Sequence, residues 1–276
     1  MHWQTTRFRI DLTRIRVMGI VNVTPDSFSD GGRLSNTAAA LKHCEQLLVE
    51  GADMLDIGGE SSRPGAQPVS LQEELDRVMP VLTGALKLGC PISVDTIKPE
   101  VMRAALALGA DIINDIGALR APGAIDAVQG HPGCGVCLMH MRGEPRSMQA
   151  QPVYADVVVE VSTFLRERLQ ALNARGIAPE RVVLDPGIGF GKCVEHNLEL
   201  LQRQRELLAL GRPLLLGWSR KSTLGAITGR PVSGRLAASV AAALAAVQHG
   251  ARIIRVHDVA ATSDALTVWR SAGLCQ

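Results

Sequence analysis

Eight short apolar runs in this 276-residue chain each lead into residues that can do chemistry. The residues at the ends of the runs are Asn22, Asp56, Asp95, Asn114-Asp115, His140, Asp185, Ser219-Arg220-Lys221, and Arg255 with His257-Asp258. An α/β protein supplies such groups at the ends of successive hydrophobic segments when one end of its strands carries the site. For any one of these residues the simpler account is helix capping, because Asp and Asn satisfy the free N–H groups of a following helix. Capping does not require Asp95, Asn114 and Asp185 at successive tips, so these three are assigned to a site.

The candidates sort by charge. Asp95, Asn114 and Asp185 offer acceptors and one amide, which suits a planar ligand edge carrying adjacent N–H groups, such as a guanidine-like or aminopyrimidinone ring. Lys221, Arg255 and His257 form a cationic set on the last two runs, where barrel proteins often bind phosphate. Lys221 itself admits two roles: a desolvated amine forming a Schiff base, or a charged donor to ligand oxygen or nitrogen. The polar, glycine-rich stretches Val23 to Arg33 and Gly58 to Pro68 read as loops that close over a substrate and exclude water.

Asp185-Pro186-Gly187-Ile188-Gly189-Phe190-Gly191-Lys192 lacks the Lys-Ser/Thr ending of a P-loop, so it reads as a tight βα turn rather than a nucleotide cradle. Phe190 stands out in it, because aromatics make up only 3% of the chain; it is placed to stack on or wall off a ring. Cys134-Gly135-Val136-Cys137 has C-x-x-C spacing, but Cys137 lies inside an apolar run and no second pair completes a tetrahedral site. His43, His131, His196 and His249 read as surface or loop residues.

These groups need elements to position them. The apolar runs near 17–21, 53–57, 91–94, 110–113, 135–139, 181–184, 213–217 and 252–256 have strand character. Helical periodicity separates most of them, over 37–50, 71–88, 99–108, 153–174, 197–210 and 235–249. Ser70-Leu71-Gln72-Glu73 predicts a capping box, and Pro99 fits a first helical position. Gly51, Gly89, Gly109, Gly176, Gly211 and Gly250 fall just past helices, where a left-handed residue is wanted. Gly51-Ala52-Asp53, Gly109-Ala110-Asp111 and Gly250-Ala251-Arg252 repeat one helix-to-strand joint. No linker divides the chain, so the pattern predicts a single (β/α)8 TIM barrel over 1–276 with its site at the C-terminal ends of the strands. A doubly wound open sheet is the runner-up, and it would want a glycine fingerprint where Gly19 stands alone.

Composition narrows the partners. A net charge of +2 with dispersed Lys and Arg, and so few aromatics, gives nucleic-acid binding no support. The N-terminus has no apolar h-region, and the Ala-rich stretch Leu236 to Val247 is too short to span a bilayer. The expectation is a cytoplasmic protein without a membrane segment that acts on small molecules.

From Val17 to Trp269 the chain resembles the dihydropteroate synthase family. The motifs that carry the resemblance are Met18-Gly19-Ile20-Val21-Asn22-Val23-Thr24-Pro25-Asp26-Ser27-Phe28-Ser29-Asp30-Gly31-Gly32, Asp56-Ile57-Gly58-Gly59-Glu60-Ser61-Ser62-Arg63-Pro64-Gly65, Ser93-Val94-Asp95-Thr96, Ile113-Asn114-Asp115, Leu138-Met139-His140-Met141, the Asp185 to Lys192 segment, Ser219-Arg220-Lys221-Ser222 and Arg255-Val256-His257-Asp258. The resemblance implies a (β/α)8 barrel that joins 6-hydroxymethyl-7,8-dihydropterin pyrophosphate to p-aminobenzoate with Mg2+. It implies that Asp95, Asn114, Asp185 and Lys221 hold the pterin, with Met139 packing on it. Asn22, Arg255 and His257 would meet the diphosphate, Asn22 also its metal. Phe28, Ser62, Arg63, Pro64, Phe190, Ser219 and Lys221 would frame the aminobenzoate, which sulfonamides mimic. Catalysis would rest on Asp95, Lys221, Arg255 and His257.

Ser62, Trp218 and Ile116-Gly117-Ala118 depart from the family's usual residues, and the last is expected to loosen its loop. The family forms dimers through helices near Arg235 to Gln248, so a homodimer is expected, against simple packing of that helix on the barrel. A pterin-dependent methyltransferase, a pterin-binding barrel without catalysis and a Schiff-base aldolase are the rival functions.

Overall fold

In the computed structural model, which describes residues 1–24, 33–61, 65–143, 148–150 and 152–274, the apolar runs become the staves of one barrel. The strands are β3 (Arg16–Asn22), β4 (Met54–Gly58), β5 (Ile92–Asp95), β6 (Ile112–Asp115), β7 (Gly135–Met139), β8 (Val182–Asp185), β9 (Leu214–Leu216) and β10 (Ala251–Val256). They pair in parallel in chain order, and β10 closes onto β3. This closed sheet rules out the doubly wound alternative.

Helices α1 (Arg33–Val49), α2 (Leu71–Ala85), α3 (Pro99–Leu108), α4 (Ala124–Gln129), α5 (Val157–Ala174), α6 (Val194–Gln202), α7 (Ser222–Thr228), α8 (Leu236–Gln248) and α9 (Val259–Ser271) complete the chain. Among the described residues no helix is long and apolar enough to cross a membrane. The predicted boundaries shift where local chemistry intervenes. The 153–174 helix starts only after Asp156, whose carboxylate accepts from the Val158 and Val159 N–H groups. The 197–210 segment is α6 followed by a 3-10 stretch, Gln204–Leu210. The capping box at Ser70 is half made. Its hydroxyl accepts from the Glu73 N–H at 3.2 Å, while the Glu73 carboxylate turns to Arg77. All six glycines predicted to end helices have φ between 70° and 108°.

The chain's opening residues, read only as polar and basic, form a hairpin of β1 (His2–Gln4) and β2 (Arg9–Asp11). It closes the floor of the barrel. Trp3, Ile10 and Leu12 join Met18, Met54, Ile112, Cys137, Val183, Leu215 and Ile253 in one interior cluster, and the Trp3 indole N–H donates to the Arg181 carbonyl at 2.9 Å. A second, larger apolar layer lies outside the sheet, under the helices.

Strand period then decides which side chains meet. Side chains alternate between the two faces. Met18, Met54, Ile112, Cys137, Val183 and Ile253 point inward, so Asn22, Asp56, Asn114, Met139, Asp185, Arg255 and His257 share their parity, two or four residues on. Ser93 and Asp95 do likewise, because Ile92 and Val94 face the helices. Cys134 lies in the outer layer and Cys137 in the barrel interior, so the two thiols sit on opposite faces and cannot ligate one ion. With its floor plugged, the barrel can open a polar cavity only at the other end. Trp3→Ala is expected to lower stability by about 3–5 kcal/mol, read as a lower urea midpoint, while the geometry of the strand tips at the open end stays near wild type.

Candidate active site

The inward residues assemble around one cation. Arg255 donates from Nε to Asp56 Oδ2 at 2.6 Å and from Nη2 to Asp95 Oδ2 at 2.9 Å. Asn114 Nδ2 donates to the same Asp56 Oδ2 at 3.0 Å. The strand register explains the proximity, with Asn22 beside Gly58, Gly58 beside Asp95, and Asp95 beside Asn114. The acidic and cationic sets, separated on sequence grounds, are therefore in direct contact.

Asp56 appeared in the strand-end series but was given no role, and it is the residue that sequence reasoning missed. It is fully buried, it ties Arg255 to Asn114, and its Oδ1 has no partner among the described residues. An unpaired buried carboxylate oxygen is costly unless a ligand donor reaches it. The available signal was its place two residues before a Gly-Gly turn, at the same inward parity as Asp95.

Burial shapes the charges. Desolvation drives the Asp95 carboxyl up to about 7; Arg255 opposes the rise, and Asp56, Asp115 and Glu74 add to it. Asp185 is also raised by burial, against the N–H of Gly187, which donates to its Oδ1 at 2.7 Å, and against Lys221, Lys192 and Arg255. Burial works against the Arg255 charge, yet Asp56 and Asp95 hold the guanidinium firmly protonated.

Asp115, next in sequence to Asn114, has the opposite parity and another task. Its two oxygens accept from the Gly117 and Leu119 N–H groups at 2.6 and 2.7 Å, and hold Ala118 and Leu119 at φ of 55° and 54°. The Ile116-Gly117-Ala118 loop, expected to be loosened, is clamped. Trp218 is likewise outside the mouth: it lies 2% exposed in the layer under the helices.

The second half of the mouth comes from β8 to β10. Lys221 caps α7, and its Nζ lies 4.1 Å from the centre of the Phe190 ring. Phe190 packs with Ile116, Met139, Met141 and Met148 in a small apolar wall. Ser219 Oγ accepts the His257 backbone N–H at 3.1 Å and sits 3.0 Å from His257 Nδ1, which orients the imidazole. Arg220, whose direction the sequence left open, is at φ 59° and turns away to pair with Asp258. Gly187, Gly189 and Gly191 all have positive φ, as a tight βα turn requires.

A cavity of about 500 Å3 opens beside Asp95, between the loops that follow β4 to β7, with Glu60, Glu74, Ile116 and Met141 in its walls. The Phe190–Lys221 and Ser219–His257 pairs belong to the staves that complete the mouth. Phe28, Ser62, Arg63 and Pro64 lie outside the described residues. Of the four histidines read as surface or loop residues, all are partly exposed. His140, by contrast, is buried, with Lys192 Nζ 2.9 Å from its Nδ1.

The arrangement can grip an N–H-rich planar edge with carboxylates and an amide, and can meet an anion with Arg255, His257 and Lys221. Comparison with known proteins agrees. Residues 18–257 match the model of the pterin binding enzyme family. The dihydropteroate synthase of Neisseria meningitidis is 54% identical over 99% of this chain and 98% of its own. Two crystal structures are also similar. The Yersinia pestis dihydropteroate synthase in complex with a sulfonamide drug has TM-score 0.93 and 46% identity over 99% of both chains. The Burkholderia cenocepacia dihydropteroate synthase complexed with 7,8-dihydropteroate has TM-score 0.90 and 52% identity, covering 99% of this chain and 96% of the other. Barrel closure, the charged cluster at the strand tips and near full-length identity converge, and the chain belongs to the dihydropteroate synthase family of pterin-binding enzymes.

Proposed function

We propose that this chain condenses 6-hydroxymethyl-7,8-dihydropterin pyrophosphate with p-aminobenzoate, forming a C–N bond and releasing 7,8-dihydropteroate and pyrophosphate. The observation that carries the reading is the Asp56–Arg255–Asp95 bridge with Asn114 attached, at the tips of a closed barrel. The aminopyrimidinone edge of the pterin presents adjacent N–H donors. Asp185, Asp95 and the unpaired Oδ1 of Asp56 can accept them, and Asn114 and Lys221 can donate to the ring's acceptors. Met139, in the apolar wall with Phe190, packs on the ring face.

Arg255 uses Nε and Nη2 on the two carboxylates, which leaves Nη1 for a diphosphate oxygen. His257, oriented by Ser219, supplies a second contact to that anion. As pyrophosphate departs, positive charge develops on the pterin's exocyclic methylene; the electron-rich ring and the Asp95 carboxylate stabilise it. The arylamine is already neutral near pH 7, so attack at that carbon requires positioning rather than a strong base. Phe190, Ser219 and Lys221, with Phe28, Ser62, Arg63 and Pro64, are assigned to the aminobenzoate.

Among the described residues no three His, Cys, Asp or Glu side chains are grouped to hold a metal ion. Mg2+ does not need such a cage, since it retains water and takes one or two protein oxygens together with substrate phosphates. The hard amide oxygen of Asn22, at the inward tip of β3 beside Gly58, fits that pattern. Mg2+ held there would neutralise charge on the leaving diphosphate.

Family membership also supports a cytoplasmic homodimer. Ile227, Leu236 and Val268 are exposed apolar side chains on α7, α8 and α9, in the part of the chain expected to form it.

Labelled p-aminobenzoate should be incorporated into pteroate with stoichiometric pyrophosphate release; product without pyrophosphate would sink the reading. Chelation with EDTA is expected to suppress incorporation, and added Mg2+ to restore it. Asp95→Asn should lower kcat/KM by about 10²-fold or more while leaving the urea midpoint near wild type. Arg255→Ala should lose activity and also about 3–5 kcal/mol of stability, because Asp56 and Asp95 would face each other without their counter-ion. The Asp95 carboxyl is pushed up to about 7, and its ionised form is the stronger acceptor and the one that stabilises a developing cation, with Arg255, Asp56, Asp115 and Glu74 around it. Activity should therefore rise with pH through about 7, and Asp95→Asn should flatten that limb.

A further inference from the structure

Lys192 ends the Asp185 to Lys192 segment, and the proposed reaction gives it no part. It is 2% exposed, yet its ammonium is fully engaged. Nζ donates to the carbonyls of Gly187 at 3.0 Å, Phe190 at 3.1 Å and His140 at 3.4 Å, and lies 2.9 Å from His140 Nδ1. Two of those carbonyls belong to the loop that carries Phe190, and the third belongs to the end of β7. The ammonium thus pins the loop to the neighbouring strand from behind.

The loop cannot hold this shape by chain preference. Gly187, Gly189 and Gly191 at φ of 71°, 79° and 63° give it wide freedom when unpinned. They are needed because the backbone runs against its neighbours: a Cβ on Gly187 would collide with the His140 carbonyl, and one on Gly189 would come within 3.3 Å of Lys221 Cδ. Other contacts secure the rim. Tyr154 Oη donates to the Gly191 carbonyl at 2.8 Å, Gln149 donates to that of Gly189, and the Gly189 N–H donates to Asn197 Oδ1 at 2.9 Å. Lys192 holds the back of the loop. The Phe190 ring and Lys221 Nζ, 4.1 Å apart, are at its front.

We propose that Lys192 is a positioning residue for the arylamine: by gripping the Gly187 and Phe190 carbonyls against His140, it sets where Phe190 and Lys221 stand. This deepens the reading of the site as a dihydropteroate synthase centre and rests on it. Where Lys192 is protonated the grip is charge-assisted. His140 serves it as an acceptor, since burial first and the Lys192 charge next push its imidazole down to about 2 and keep it neutral. Burial first pulls the Lys192 amine down to about 7, with Asp185 opposing the fall and Lys221 adding to it; the carbonyls of Gly187 and Phe190 at 3.0 and 3.1 Å define the grip. The pterin shares Lys221 and Met139 with this loop's surroundings but is also gripped by Asp56, Asp95 and Asn114 on β4 to β6, so loosening the loop acts on the arylamine more than on the pterin.

Steady-state kinetics of Lys192→Met, with each substrate varied in turn, tests the assignment. The expected result is a rise of tenfold or more in KM for p-aminobenzoate, with KM for the pterin pyrophosphate within about threefold of wild type. Phe190→Leu should raise the same KM, and the double variant should be no worse than the poorer single, because Lys192 acts through Phe190. Equal shifts in both KM values, an unchanged aminobenzoate KM, or additive effects of the two substitutions would overturn the proposal. If Lys192→Met does not fold, Tyr154→Phe frees the Gly191 carbonyl of the same loop. It should give a smaller rise, about threefold, confined to the arylamine; no rise, or one shared by both substrates, would count against the proposal. Wild-type protein that made no pteroate would instead sink the functional reading itself.

Discussion

The mouth of this barrel depends on one guanidinium held between two carboxylates. Arg255 reaches Asp56 and Asp95 from β10, two and three staves away around the ring. Without it, the buried Asp56 and Asp185 and the partly buried Asp95 would share one low-dielectric pocket, and their mutual repulsion would strain the strand tips. With it, Asp56 stays fully buried with one oxygen uncommitted, and Asp95 is poised near 7. Such an arrangement is expensive for folding and useful for binding, because the unspent acceptors are already aimed where a ligand's N–H groups would come.

Everything beneath that bridge makes it rigid. The inward layer of Met18, Met54, Ile112, Cys137, Val183, Leu215 and Ile253 fills the barrel, and the hairpin bearing Trp3 seals the floor. Packed interiors deform little, so the strand tips present Asp95, Asn114 and Asp185 at fixed separations. The loops above them are secured by polar contacts instead. The Asp115 carboxylate holds the turn after β6, and Lys192 holds the turn after β8. Strands supply precision, and buried charges supply shape where no regular hydrogen-bond ladder exists.

On the proposed reading, the acidic, cationic and aromatic groups also divide the mouth by substrate. Those from β4 to β6 meet at Arg255, while Phe190, Lys221, Ser219 and His257 come from the staves that close the ring. A two-substrate condensation needs such a division: one partner must be gripped through its ring edge while the other is walled in close to the bond that breaks. Water is the competitor for the developing cation, and a mouth completed by loops is the means to exclude it.

Much of this was legible in the chain. The number of barrel strands, their order and the polar tips follow from apolar runs of four or five residues interrupted at regular intervals, because a buried parallel strand has to be apolar and the residue that leaves it need not be. The helix-ending glycines were legible for an equally local reason, the left-handed φ that only they adopt without strain. Contacts between distant staves were not. That Arg255 would pair with Asp56 and Asp95, that Asp56 would be central, that Asp115 would clamp a loop while Asn114 entered the site, and that Lys192 would be buried against His140 all depend on register and barrel closure. Sequence determines which residues alternate on one strand. Only closing the barrel decides which of them come within 3 Å of one another, since that distance is set by strands up to 199 residues apart along the chain.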